Sequence, residues 1–347
     1  MRVLVTGHRG YVGVRLVPLF RAEGHEVAGL DSGLFDGCTF GAGEDELDSA
    51  VRDVRDVSVE DLAGFDAIVH LAGISNDPLG DLDPECTSAI NHLGTVHLAK
   101  QAKEAGVSRF VFSSSCSLYG SAGDDLLDEH AEWNPVTPYG WSKLRAEQDL
   151  HQLADDTFSP TYLRSATAYG ASPRLRGDLV VNNLVGYAFT TGEVFLKSDG
   201  TPWRPLVHVE DMARAFLAAV SAPREVVHDE AFNVGATTEN YQIRDVASLV
   251  EHLVPGSRIS FADDAGPDRR NYRVSCDKLA SKLPAARPRW TVRDGIAELL
   301  ESYRRAGLTL ERLTGPSVQR IQEVRRLLDD GRLGADLRWV GAASPVA

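Results

Sequence analysis

Three side chains near the middle of this 347-residue sequence have the types and spacing of a proton-transfer site. Phe110–Ser113 is short and apolar, bounded by small polar residues, and predicts a buried parallel strand ending in the hydroxyls Ser113–Ser115. Thr137-Pro138 predicts a helix start, a capping hydroxyl followed by proline at the first helical position. Tyr139 and Lys143 then stand four apart and project from one face of that helix. A hydroxyl at a strand end facing a phenol backed by an ammonium can move a proton, and such a site needs a redox partner.

The first 31 residues supply a place for one. Arg2–Thr6 (RVLVT) predicts a β-branched strand and Val12–Ala22 has helical apolar spacing. Between them run Gly7, His8, Arg9, Gly10, Tyr11, Val12 and Gly13. A strand, a glycine turn and a helix in succession bring backbone close to a pyrophosphate and aim a helix N-terminus at it. The second strand, Glu26–Leu30, ends at Asp31. A carboxylate there accepts hydrogen bonds from an adenosine ribose and repels a 2′-phosphate. Arg9 pulls toward that phosphate, but Ser32 and Gly33 add no second cation, so the expected cofactor is NAD.

Stepping outward from these residues, strands and helices alternate. Asp53-Val54 precedes a short helical stretch, and Ala67–Leu71 (AIVHL) is a buried strand closed by Ala72-Gly73. Pro84–Ala105 has the pattern of one long helix carrying Asn91, the helix after Pro138 extends to about Asp156, and Thr161–Arg164 is a further strand. That alternation predicts a doubly wound parallel sheet, whose ligands bind outside the carboxyl ends of the strands. Beyond Tyr169-Gly170 the elements shorten, from the basic loop Ser172–Gly177 (SPRLRG) to the loop containing Arg270. The expected division is a dinucleotide-binding domain over 1–172, a smaller mixed α/β substrate lobe over 173–306, some of whose segments return to the first sheet, and a helical tail over 307–347.

Bulk properties narrow the partners. Asp and Glu number 50 against 36 Lys and Arg, a net charge of -14, which argues against nucleic acid or an anionic membrane as the partner. The four cysteines show neither metal spacing nor disulfide density, which predicts no metal and a cytoplasmic setting. No apolar run is long enough to span a bilayer.

Taken in register, Gly7/Gly10/Gly13, Asp31, the Ser115–Gly120 stretch, Tyr139-x-x-x-Lys143 and Arg204 with His208-Val209-Glu210-Asp211 resemble the extended short-chain dehydrogenase/reductase family. Within it they are most similar to the NAD-dependent nucleotide-sugar epimerases and dehydratases, over roughly residues 1–306. The resemblance implies a hydride taken from a sugar carbon by NAD while a tyrosinate takes the hydroxyl proton. It makes Tyr139 the general base, Lys143 the cation that favours the phenolate and holds the nicotinamide ribose, and Ser115 the hydrogen-bond partner of the reacting hydroxyl. A phenol ionises near ~10, and lowering that by about three units needs ~4 kcal/mol, within reach of a lysine and a nicotinamide cation. The resemblance also implies cofactor contacts at Arg9, Tyr11, Val12, Asp53, Val54, Leu71, Ala72, Gly73 and Asn91. For the nucleotide-diphosphate sugar it implies Ser117, Thr167, Asn182, Asn183, Arg204 and Arg270. Arginine suits a diphosphate because its planar fork gives paired charge-assisted hydrogen bonds.

Departures from the family pattern sharpen the expectation. The related dehydratases carry an Asp-Glu pair where Cys116 and Ser117 stand, and abstraction of a carbon-bound proton needs such a base. Its absence favours 4-epimerisation through a transient 4-keto sugar. The alternatives are a dehydratase that uses Cys116 and an NADPH-dependent 4-ketoreductase. Thr167 replaces a usual asparagine, Lys197 an aromatic, and Pro205 an aspartate. Similar proteins form homodimers by pairing two helices, here Pro84–Ala105 and Pro138–Asp156. Residues 307–347 have no counterpart in the resemblance and are expected to form a surface helix.

Overall fold

The computed structural model describes residues 1–41, 47–75, 77–266 and 270–341. Its strands, in chain order, are β1 (Arg2–Thr6), β2 (Glu26–Asp31), β3 (Ser49–Val51), β4 (Ala67–His70), β5 (Arg109–Ser115), β6 (Ser121–Leu127) and β7 (Ser159–Ser165). There follow β8 (Thr167–Tyr169), β9 (Glu193–Ser198), β10 (Trp203–His208), β11 (Glu230–Val234), β12 (Asn240–Gln242), β13 (Arg258–Gly266) and β14 (Asn271–Val274). Among the described residues the largest sheet has seven strands in the order β11-β7-β5-β4-β1-β2-β3. Every pairing in it is parallel, the doubly wound sheet that the alternation of elements predicts.

Side-chain alternation builds a core on each face. Val3 and Val5 point to one side of β1, where they pack with Leu16 and Phe20 of the Gly13–Ala22 helix and Phe216 of the Val209–Ser221 helix. Leu4 points to the other, joining Ile68, Phe110 and the Leu98, Ala146 and Leu150 faces of helices Gly94–Glu104 and Pro138–His151. Strands buried on both faces read as continuous apolar runs, which is why β1, β4 and β5 stand out in the sequence. β11 joins the same sheet by pairing with β7.

Three local features differ from the sequence reading. The Pro84–Ala105 helical run is broken by a π turn at Ala89–Leu93, which carries the fully buried Asn91. The Pro138 helix stops at His151, short of Asp156. The segment after Arg270 is not a loop but strand β14, which pairs in parallel with β6 in the acidic stretch after Gly120. Asp268 and Arg269, in the same segment, lie outside the described residues, as do 342–347. A partner about 150 residues away leaves no periodic trace in a segment such as SAGDDLL.

The tail is docked. Helix Arg320–Asp329 inserts Val324 and Leu327 among Leu34, Ile74 and Leu79, with Leu333 beside them. Each such burial is worth about 1.5–3 kcal/mol relative to exposure. Trp339 Nε1 donates to the Ser32 carbonyl at 2.7 Å and Arg338 pairs with Asp56, so the tail lies against the strand ends of the large sheet. No helix among the described residues is long and apolar enough to cross a membrane.

Candidate active site

A cleft of about 920 Å³ runs along the carboxyl ends of β1, β2, β4, β5 and β7. At one end lies the glycine turn. Gly7 adopts φ +73°, and a Cβ there would sit 2.7 Å from the Ala72 amide nitrogen; at Gly13 it would meet the Gly7 and His8 carbonyl oxygens at 2.5 Å. The turn therefore admits no side chain, and its backbone forms an open cradle at the start of the Gly13–Ala22 helix. Asp31 accepts from the Gly33 amide at 2.9 Å and the Arg9 amide at 3.2 Å, which fixes its carboxylate at the cleft wall. The Arg9 guanidinium is engaged by Asp36 at 2.8 Å, so its charge is already met by a carboxylate. These features fit a dinucleotide whose adenosine ribose carries free hydroxyls.

Arg9, Gly10, Val12, Asp53, Val54, Leu71, Ala72 and Gly73 also line the cleft. Asp53 caps the short helical turn Val54–Asp56 and is gripped by the Arg55 guanidinium at 2.6 and 2.9 Å; burial raises its pKa, and the arginine outweighs that and holds it below the ordinary carboxylate value. Tyr11 lines the cleft while donating its hydroxyl to the Gly170 carbonyl at 2.7 Å, and burial pushes its ionisation upward. Asn91 is placed differently. Its amide bonds both the N–H and C=O of Ile74, at 2.7 and 2.8 Å, so it shapes the Gly73–Ile74 turn from behind the wall.

Ser115 and Tyr139 both line the cleft, and Lys143 lies behind Tyr139. Ser115 closes β5 and caps the Cys116–Tyr119 turn, its Oγ accepting from the Ser117 amide at 3.1 Å. Thr137 caps the next helix through the Gly140 amide at 3.1 Å, and Tyr139, half-buried in the first turn, faces the same cleft. Lys143 is buried one turn further on, donating to the Ser113 carbonyl at 2.7 Å and lying 5.7 Å from the Tyr139 ring centroid. Burial lowers its pKa from 10.5 to about 7, with Glu147 acting in the opposite sense. The next two residues part company. Cys116 is fully buried beneath the turn, its thiol donating to the Arg164 carbonyl at 3.0 Å and its ionisation suppressed by burial. Ser117 borders the cleft and its buried hydroxyl has no partner among the described residues, and Ser165 at the end of β7 matches it.

On the opposite wall stand Thr167, Asn183, Arg204 and Arg270. Arg204 is buried and donates to the Trp203 carbonyl at 2.8 Å and to the Arg270 carbonyl. Asn182 does not reach the cleft; its amide accepts from the Gly170 N–H at 3.0 Å and donates to the Arg176 carbonyl at 3.0 Å. Sequence reasoning missed Ser165, Asp178 and the tail residues Gln319–Gln322 and Leu337 and considered Arg176 only as part of a loop that could receive a sugar carboxylate; all of them line the cleft. The basic SPRLRG loop was the available signal for Arg176, which bonds Ser75 at 2.9 and 3.1 Å and pairs with Asp178 at 2.6 Å. No comparable signal marked the tail.

Residues 3–235 match the NAD dependent epimerase/dehydratase family. The UDP-glucose 4-epimerase of Mycolicibacterium smegmatis is 29% identical over 314 residues, spanning 88% of this chain and 99% of that one. The Mus musculus UDP-glucose 4-epimerase is 27% identical over 337 residues, spanning 86% and 94%. Among solved structures, MoeE5 in complex with UDP-glucuronic acid and NAD superposes with a TM-score of 0.77 at 28% identity, covering 88% of this chain and all (100%) of that one.

Proposed function

This chain belongs to the NAD dependent epimerase/dehydratase family, and on that premise we propose that it is a nucleotide-sugar epimerase acting at C4. NAD, when bound, supplies the acceptor that takes a hydride from the sugar carbon and gives it back on the other face. The protein's part is to place the sugar and manage one proton. Tyr139, ionised, accepts the proton of the C4 hydroxyl and later returns it to the 4-keto oxygen. The Lys143 charge favours that phenolate, and Ser115 holds the reacting hydroxyl by a hydrogen bond. Asp31 receives the adenosine ribose, and the Gly7–Gly13 turn receives the pyrophosphate. Thr167, Asn183, Arg204 and Arg270 orient the nucleotide diphosphate of the substrate.

The orientation of Cys116 carries the choice of epimerisation over dehydration. Elimination of water needs an acid or base beside the ketone, and the only residues of the Ser115–Tyr119 turn on the cleft wall are Ser115 and Ser117, both hydroxyls. The thiol that a dehydratase would need is turned into the protein. UDP-hexoses are the first substrates to try, because the relatives above are named for them. The test is product mass and stereochemistry from a panel of nucleotide sugars, with absorbance at the reduced-nicotinamide band followed in parallel. Equal mass, inverted C4 and no accumulated NADH are expected. Loss of water, or stoichiometric consumption of NADPH, would overturn the assignment.

The two helices expected to pair in a dimer expose Leu93 and Trp141, at 58% and 45%. A homodimer built on them is part of the proposal, and light scattering on the Trp141→Lys variant against the parent protein checks it.

A further inference from the structure

The C-terminal segment brings to the cleft an arginine that no carboxylate pairs among the described residues. Arg320 begins the ten-residue helix Arg320–Asp329 and is 4% exposed, yet it lines the cleft. Its contacts include the Arg174 carbonyl at 3.3 Å, the Phe35 carbonyl at 3.5 Å, the Phe35 ring, 4.6 Å away, and the Cys38 thiol. Among the described residues no carboxylate lies within salt-bridge distance of it. The neighbouring arginines are each paired, Arg9 with Asp36, Arg176 with Asp178 and Arg326 with Glu323. Burial without a counter-ion is costly for a guanidinium, and here it depresses the basicity of the group.

The same turn offers unmet backbone donors. Gln319, at the N-cap, makes no capping bond with its side chain. The Gln322 and Glu323 amides turn back to the Gln319 carbonyl at 3.0 and 3.2 Å, whereas those of Arg320 and Ile321 have no acceptor among the described residues. Gln319, Arg320, Ile321 and Gln322 all border the cleft. A helix N-terminus with free amides and a buried, uncompensated arginine make an anion site by two independent routes.

We propose that the first turn of this helix and the Arg320 guanidinium form a diphosphate-binding subsite, supplied by the C-terminal segment, that grips a ligand of the main cleft. The cleft would take two ligands that carry diphosphates, the dinucleotide and the nucleotide sugar, and the inference rests on the functional reading above for both. Arg320 stacks on Phe35 in the loop that follows Asp31, which places it near the dinucleotide end.

The experiment is calorimetric titration of cofactor-stripped protein with NAD and, separately, with UDP as a nucleotide-diphosphate probe. Arg320→Gln is compared with the parent, with Arg320→Lys, and with Arg325→Gln on the exposed face of the same helix. Arg320→Gln is expected to weaken one of the two ligands by roughly 10- to 100-fold, as loss of a charged hydrogen-bonding group does. The ligand affected identifies the source of the diphosphate. Arg320→Lys, which keeps the charge but loses the fork, weakens the same ligand less and serves alone if the glutamine variant does not fold. Arg325→Gln leaves both affinities unchanged. The melting temperature of the ligand-free Arg320→Gln protein should not fall, since an unpaired buried charge has been removed. Unchanged affinity for both ligands, or a lower ligand-free melting temperature as the sole effect, overturns the proposal by making Arg320 a structural tie. A parent protein that binds UDP but not NAD overturns the cofactor reading alone, and the UDP arm then decides this one.

Discussion

Two neighbouring clusters at β5 hold similar residue types in opposite conditions. In one, Arg164 and Glu147 are both buried and locked together, with Nη2 to Oε2 at 2.7 Å and Nε shared between the carboxylate oxygens at 3.1 Å. Arg164 also donates to the Tyr119 hydroxyl at 3.1 Å and the Glu129 carbonyl at 2.9 Å, Ser114 donates to Glu147, and Tyr119 donates to Asn233 at 2.8 Å. In the other, the Ser117 and Ser165 hydroxyls have no partner among the described residues, and Lys143 is buried beside one carbonyl. A satisfied network defines structure, whereas an unsatisfied one is completed by something else. The difference separates residues whose hydrogen bonds are met inside the protein from residues whose bonds are left open at the cleft, although each cluster contains serine and a buried cation.

Substitutions in the two clusters should therefore fail in different ways. Tyr139→Phe removes the group that accepts the proton and should cut turnover by about 10²- to 10⁴-fold. It should leave NAD content after desalting, and the melting temperature, close to the parent's. Retained turnover would remove the assigned base. Glu147→Ala does the reverse. It strands Arg164 as a buried unpaired charge and should cost about 3–5 kcal/mol of stability, read from the urea midpoint. A Glu147→Ala protein as stable as the parent would erase the distinction between the two clusters.

How much of this was legible beforehand depends on the range of the contacts. The Gly7–Gly13 turn, Asp31, Ser115 and Tyr139 with Lys143 were readable because each depends on neighbours a few residues away. Strand ends in a parallel sheet must fall on one edge, so convergence followed from the alternation of elements. Asn91 and Asn182 were assigned to ligands by motif alone, but each spends its amide on nearby backbone, which a motif does not record. Arg320 was invisible for the opposite reason. Its place beside Phe35 joins positions 285 apart in the chain, and nothing local in a charged helix announces which cleft it borders.

Lys143 gives an intermediate effect that sharpens the comparison through pH. Its folded pKa, about 7, lies below the ordinary 10.5, so between those values the unfolded chain holds a proton that the folded one sheds. Stability of the ligand-free protein therefore rises with pH across that window; the cost of the buried lysine is complete below about 7 and absent above 10.5. Lys143→Met deletes that cost and the bond to Ser113, a net gain of about 1–3 kcal/mol at pH 7 that shrinks toward pH 10. The same variant should lose turnover. A gain independent of pH would mean that the lysine is charged and compensated, as in the satisfied cluster.

The smallest effect is expected at Cys116, which sits between the two clusters. Its neighbours in sequence, Ser115 and Ser117, both border the cleft, but its own side chain is fully buried and donates to the Arg164 carbonyl at 3.0 Å. Cys116→Ala removes one buried sulfur and a weak hydrogen bond, a change of about 1 kcal/mol in stability. Since burial holds the thiol protonated and the turn holds it away from substrate, kcat should change by less than about twofold. Both quantities come from one preparation, the first by urea melt and the second by initial rates on the same nucleotide sugar. If kcat instead fell about 100-fold while the melt was unmoved, the thiol would have to reach the sugar during turnover. The Ser115–Tyr119 turn would then open in the working enzyme, and the boundary between structural and catalytic clusters would run through Cys116 rather than beside it.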